Sequence, residues 1–130
     1  MKLTILYIED ESTIRDKMSK IFKYFFTKVY TAKDGEEAFK IYKENIKNID
    51  LVITDINLPK VNGIDLIKKI KYLNNKQKTY IFSVKNQLNL HDEVYSLGVE
   101  HYFSKPNEMK LLLDTIDFNF YPSLQKQIKE

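Results

Sequence analysis

The run Leu51-Val52-Ile53-Thr54 stops abruptly at Asp55, and no other feature restricts the possible folds as much. A short apolar stretch without polar alternation has no solvent-facing side, so it reads as a strand covered on both faces, the setting of a parallel sheet. In open α/β sheets the ligand crevice lies beyond the carboxyl ends of the strands. Asp55 therefore falls where such folds place their chemistry.

Three more runs end in the same manner. Leu3-Thr4-Ile5-Leu6-Tyr7-Ile8 stops at Glu9-Asp10-Glu11, Thr79-Tyr80-Ile81-Phe82 at the hydroxyl of Ser83, and His101-Tyr102-Phe103-Ser104 at Lys105-Pro106. If the strands ending at Glu9 and Asp55 lie side by side, three or four carboxylates crowd one edge. Left alone they repel one another and favour protonation, so a hard divalent cation is expected among them. Magnesium fits best, because few protein oxygens plus water complete its octahedral shell, with manganese as the alternative. A cation, an ammonium and a hydroxyl around one aspartate are the parts that stabilise charge on a transferring phosphoryl group. Asp55 is then the nucleophile.

With these motifs in order, the chain resembles the receiver domain of bacterial two-component response regulators over roughly Lys2 to Phe120. The resemblance is carried by Glu9-Asp10 after the first strand, by Asp55 with Asn57, Pro59 and Gly63 after the third, by Ser83 after the fourth and by Lys105-Pro106 after the fifth. It implies that Asp55 accepts a phosphoryl group from a phosphohistidine on a sensor histidine kinase or phosphotransfer protein. It further implies that Asp10 and Asp55 are direct magnesium ligands, that the backbone carbonyl of Asn57 is a third, and that Glu9 reaches the ion through water. Lys105 is expected to pair with the phosphoryl oxygens and Ser83 to turn its hydroxyl toward them. Tyr102 matches the aromatic whose rotamer follows that hydroxyl.

The implied function is a signalling switch rather than an enzyme, with only intrinsic magnesium-dependent autophosphorylation and autodephosphorylation. Phosphorylation adds about two negative charges at Asp55 and shifts an existing equilibrium. The surface affected is that of the fourth helix, fifth strand and fifth helix, including Tyr102, Lys85 and the surroundings of His91 and Lys110. That surface is expected to bind a downstream target or a second copy. Two positions depart from the family pattern. Glu9 stands where aspartate is also common, and Val84 where a small residue is usual, so Val84 is expected to narrow access to the phosphoryl site and slow turnover.

Between the apolar runs the pattern changes to helical period. Ser12 is placed to cap a first helix striped by Ile14, Met18, Ile21, Phe22 and Phe25. Val29-Tyr30-Thr31 reads as a short second strand. Gly35 precedes a second helix with Ala38, Phe39, Ile41 and Tyr42, and Gly63 opens a third with Ile64, Ile67 and Ile70. Residues 88–97 form a less regular fourth helix stopped at Gly98, and Met109, Leu112, Leu113 and Ile116 stripe a fifth. Five β/α alternations with right-handed crossovers give a flavodoxin-like, doubly wound (βα)5 fold. Its sheet is five-stranded and parallel, in order 2-1-3-4-5.

Composition sets the outer bounds. A chain of 130 residues with 43% hydrophobic content suits one domain. The receiver is assigned to 1–120, and 121–130 to a tail or the start of a linker. No apolar run approaches the roughly 20 residues of a membrane span, and Met1-Lys2-Leu3 leads into a strand rather than a signal peptide. Together with the absence of cysteine, this points to a cytoplasmic domain with no membrane contact. The net charge is +3, but all except one of the 21 basic residues are lysines, the exception being Arg15. With arginine, the usual bidentate reader of guanine and phosphate, nearly absent, direct nucleic-acid binding is not expected.

Several conspicuous residues have plainer readings. The cluster Phe22-Lys23-Tyr24-Phe25-Phe26 reads as core packing rather than base stacking, His91 and His101 as surface or packing residues, and Ser104 as a local hydrogen-bonder. A flavin binder of the same topology is disfavoured, since Glu9-Asp10-Glu11 repels a flavin phosphate. A magnesium phosphatase with an aspartyl nucleophile is disfavoured because Asn57 cannot act as the general acid. The amino-terminal receiver of a longer DNA-binding regulator stays open as an alternative; a pseudo-receiver that only docks partners is a further one, disfavoured because every acid, hydroxyl and lysine position is filled. Phe118, Phe120 and Tyr121 run beyond the fifth stripe, and Pro122 should interrupt it.

Overall fold

The apolar runs form the strands and the helical-period stretches form the helices, in strict alternation. In chain order the elements are β1 (Thr4–Ile8), α1 (Ser12–Phe25), β2 (Lys28–Ala32), α2 (Gly35–Glu44), β3 (Leu51–Thr54), α3 (Gly63–Leu73), β4 (Lys78–Val84), α4 (His91–Ser96), β5 (His101–Lys105) and α5 (Met109–Phe120). The structure, a computed structural model, describes residues 2–84 and 91–120, without the side chains of His91 and Asp92. Lys85, the stretch 88–90 assigned to the fourth helix, the His91 side chain and the tail 121–130 lie outside the described residues.

All five strands are parallel, in the order β2-β1-β3-β4-β5. The expected doubly wound architecture is therefore present. The central strands are buried on both faces, and their alternating side chains feed two separate cores. Ile5, Tyr7, Leu51, Ile53, Tyr80, Phe82 and Phe103 pack with Phe22 and Phe26 of the α1 side and Leu112 and Ile116 of α5. Leu6, Ile8 and Val52 pack instead with Ala38 and Tyr42 of α2 and Leu66 and Ile70 of α3. A third cluster joins Ile56, Ile64, Ile67 and Ile81 to Val94 of α4.

Register delivers the polar strand ends to one edge. Ile8 pairs with Thr54, and Thr54 with Ile81. Because β4 runs three residues beyond Ile81, Ser83 lies inside the strand, past the level of Asp55. Likewise β5 includes Lys105, which pairs with Val84. Both strands are longer than their apolar runs suggest, since ladder bonds continue regardless of side-chain polarity.

Two expectations need correction. Ser12 is the first residue of α1 rather than its cap; the N-cap is Glu11, which makes no side-chain cap bond. The residues before the helix are engaged elsewhere, as described below. The aromatic cluster at the end of α1 is also divided. Phe22 and Phe26, four residues apart, face the core, whereas Tyr24 is 85% exposed and Phe25, assigned to the apolar stripe, is 38% exposed. By contrast, side chains cap α2 and α3, where Asp34 accepts from the Glu37 amide and Asn62 from the Asp65 amide. The fourth helix ends at Ser96, and Gly98 follows with a left-handed φ of 90°.

Candidate functional site

The carboxyl ends of β1 and β3 bring Glu9, Asp10 and Asp55 together, each offering an oxygen within 4.8 Å of the others. Glu11, the fourth candidate acid, is exposed and stands outside this group. Glu9 and Asp55 are buried, and Asp10 is exposed. Three acids at one edge repel unless cations or donors intervene.

Both oxygens of Asp55 are engaged. Oδ1 accepts from Ser83 Oγ at 2.5 Å and from the Ile56 amide at 2.7 Å, while Oδ2 pairs with Lys105 Nζ at 2.9 Å. Lys105 Nζ is shared with Glu9, whose Oε1 it also contacts. The ammonium is held against the Phe82 ring as well, 5.7 Å from its centroid. One lysine thus serves both buried acids and offsets part of their charge.

Burial is the main force on Glu9 and holds its carboxyl above the ordinary value of 4.5; the Lys105 bond and charge and the Glu11 amide oppose it, and Asp55 adds to it. The phenol of Tyr7 is pushed up in the same way, by burial first and then by Glu9 and Asp55. Burial likewise raises Tyr102, with Asp55 adding to the shift and a Ser83 hydrogen bond opposing it. Tyr102 pairs with Ile81 across β4 and β5, so it lies on the same sheet face as Ser83, two residues further along β4.

The backbone around Asp55 is tightly closed. The Gly63 amide donates to the Ile56 carbonyl at 2.7 Å, and a Cβ at Gly63 would fall 2.0 Å from the Asp55 carbonyl oxygen. Only glycine permits that approach. A cavity of about 590 Å3 opens beside the acids, lined by Ile14, Met18 and Ile21 of α1 and by Asn57, Val84 and Pro106. Val84 is 52% exposed there. Asn57 and Asp55 thus line one cavity.

Of the residues singled out in the sequence, Glu9, Asp55, Ser83 and Lys105 form one bonded network, Asp10 joins it through its carboxylate and Asn57 through the cavity. The backbone amide of Ser104 donates to Glu108 Oε1 at 2.7 Å. His101 packs edge-on to Tyr80, away from the acids. Two participants escaped the sequence reading. The Ile56 amide has no sequence signal, since every residue but proline carries one; Arg15, whose guanidinium binds the acidic loop, stood out only as the single arginine.

Comparison with known proteins follows the same lines. The profile of the response regulator receiver domain matches residues 5–117. Response regulator SaeR of Staphylococcus epidermidis is 34% identical over 104 residues, covering 78% of this chain and 43% of that protein. A receiver domain protein from Clostridium thermocellum superposes with a TM-score of 0.82 at 29% identity, covering 97% of this chain and 98% of that one. The CheY of Borrelia burgdorferi, solved in complex with CheX, BeF3 and magnesium, gives 0.83 at 27% identity, covering 91% and 89%. The chain spans less than half the length of the curated relatives it matches.

Proposed function

Because the chain belongs to the response regulator receiver domain family, we propose that it is a phosphorylation-driven signalling switch with Asp55 as phosphoacceptor. The observation that carries this reading is the convergence of Ser83, the Ile56 amide and Lys105 on one buried carboxylate. Each donor stands ready for the negative charge that a phosphoryl group brings.

Receiver domains bind magnesium at an acidic pocket. Glu9, Asp10 and Asp55 fit such an ion: all donors are hard oxygens, and their 4.8 Å spread is close to the roughly 4 Å across an octahedral magnesium shell. In this reading Asp10 and Asp55 are direct ligands with the Asn57 carbonyl, and Glu9 acts through water. Bound there, the ion supplies positive charge against the phosphoryl oxygens.

The chain's own residues do the rest. An Asp55 oxygen forms a bond to phosphorus as the P–N bond of a phosphohistidine breaks; the imidazole nitrogen keeps the electron pair and takes a proton from water. Lys105 transfers its pairing from the acids to the phosphoryl oxygens, and Ser83 donates to one of them. Tyr102, on the same face as Ser83, carries the change to the α4–β5–α5 surface. Exposed Tyr95, Leu111 and Phe118 on α4 and α5 support a contact role for that surface, toward a target or a second copy. Receiver domains interact with histidine kinases and downstream targets. The kinase is the phosphoryl source in this account, and signalling rather than turnover is the purpose.

Incubation with a phosphorylated histidine kinase domain, followed by peptide mapping, tests the assignment. A phosphoryl group on the peptide containing Asp55, labile to hydroxylamine as an acyl phosphate is, supports it; phosphate on another residue contradicts it.

A second reading concerns the whole protein. Since the chain spans 43% of SaeR, it also fits the amino-terminal receiver of a longer DNA-binding regulator. The reading frame beyond Glu130 tests this directly.

A further inference from the structure

One residue of α1 makes repeated contacts with the acidic loop after β1. Arg15 Nη1 donates to the Glu9 carbonyl at 2.9 Å and to the Asp10 carbonyl at 3.3 Å. The Arg15 backbone amide donates to the Glu11 carbonyl at 2.8 Å. The guanidinium thus holds two consecutive carbonyls, while the bond to Glu11 is the first of the helix's own backbone bonds. The guanidinium is spent on backbone oxygens and makes no ion pair with Glu9 or Asp10 among the described residues.

This pattern has a chemical meaning. Pairing with the carboxylates would neutralise the acids and occupy the oxygens a cation needs. Pairing with the carbonyls fixes the peptide units that carry Glu9 and Asp10 and leaves the Asp10 carboxylate open. The fixed loop also lets Glu9 Oε2 accept from the Glu11 amide at 3.2 Å, which restrains the Glu9 side chain. Both bonds leave from Nη1, whose N–H directions are fixed by the planar guanidinium, whereas an ammonium turns freely on a flexible stem.

We infer that Arg15 is a positioning residue for the divalent cation: its guanidinium anchors the Glu9 and Asp10 carbonyls so that the carboxylates are preorganised for the ion. The inference rests on the reading that these acids bind magnesium. Residues that orient ligands from behind alter metal affinity by about 10- to 100-fold when removed.

The test separates positioning from plain electrostatics because the two have opposite signs. Removing a positive charge near a cation site tightens binding; removing an anchor weakens it. Magnesium affinity of the 130-residue chain is measured by calorimetry for the unaltered protein, Arg15→Ala and Arg15→Lys. Amide hydrogen exchange at Glu11 is followed in the metal-free proteins. The expected result is about tenfold weaker binding in Arg15→Ala, a smaller loss in Arg15→Lys, and faster exchange at Glu11 in both. Arg15→Lys keeps the charge, so it serves even where Arg15→Ala fails to fold. Equal or tighter magnesium binding in the variants, or unchanged exchange at Glu11, overturns the inference while leaving the proposed function standing. An unaltered protein that binds no magnesium overturns both.

Discussion

Ser83 Oγ lies 2.5 Å from Asp55 Oδ1, a buried hydroxyl donating to a buried carboxylate. The contact exists because β4 continues past Ile81, carrying Ser83 beyond the paired ends of β3. Hydrogen bonds to charged groups contribute about 1.5–3 kcal/mol. Ser83→Ala should therefore slow phosphorylation of Asp55 by about tenfold or more, whereas Ser83→Thr, which keeps the hydroxyl, should retain most of the rate. Stopped-flow phosphorylation with a small acyl phosphate checks this; an unchanged rate in Ser83→Ala counts against the hydroxyl's role.

Lys105 should show a split between binding and chemistry. Its ammonium pairs with Glu9 and Asp55 and so competes with any cation among the acids. Lys105→Met is expected to bind magnesium more tightly, by several-fold, and to accept a phosphoryl group about 100-fold more slowly. Parallel calorimetry and phosphorylation assays measure the two effects. Losses in both would mean that the lysine merely supports the fold.

The raised carboxyl of Glu9 makes the metal-free protein sensitive to pH. A folded value above the ordinary 4.5 means that the native state holds this proton more tightly than the unfolded chain. Glu9 thus contributes stability that is complete below the unfolded value and is lost as pH rises through the folded one. Glu9→Gln removes that loss. In urea unfolding without divalent ions, the variant should exceed the unaltered protein at pH 7, and its advantage should shrink toward pH 4.5. A stability difference independent of pH would contradict the assignment.

Val84 lines the cavity shared with Asp55 and Asn57 and is half exposed. Val84→Ala should speed both phosphorylation and hydrolysis of the phosphate by several-fold, with stability changed by only about 0.5 kcal/mol as for most exposed positions. Equal rates in the two proteins would show that the side chain does not limit access.

The sequence made the site legible wherever a side chain ends an apolar run. Glu9, Asp55, Ser83 and Lys105 could be read in this way because each follows a run buried on both faces, and parallel pairing brings the ends of those runs to one edge. What the sequence concealed is mostly backbone. The anchoring of the Glu9 and Asp10 carbonyls by Arg15 and the Ile56 amide at Asp55 involve groups common to all residues. Ser12 is not the cap of α1 because the helix's first backbone bond already runs from the Arg15 amide to the Glu11 carbonyl. At the helix's far end, the cluster from Phe22 to Phe26 is too aromatic to divide by composition; only its 3.6-residue period turns Tyr24 and Phe25 outward.

The most direct test of the central claim is intact mass after incubation with a small acyl phosphate, with and without magnesium, for the unaltered chain and Asp55→Asn. The account predicts one phosphoryl adduct that requires magnesium and vanishes in Asp55→Asn. An adduct that persists in Asp55→Asn, or no adduct at all in a protein that binds magnesium and meets its phosphorylated kinase, would contradict it.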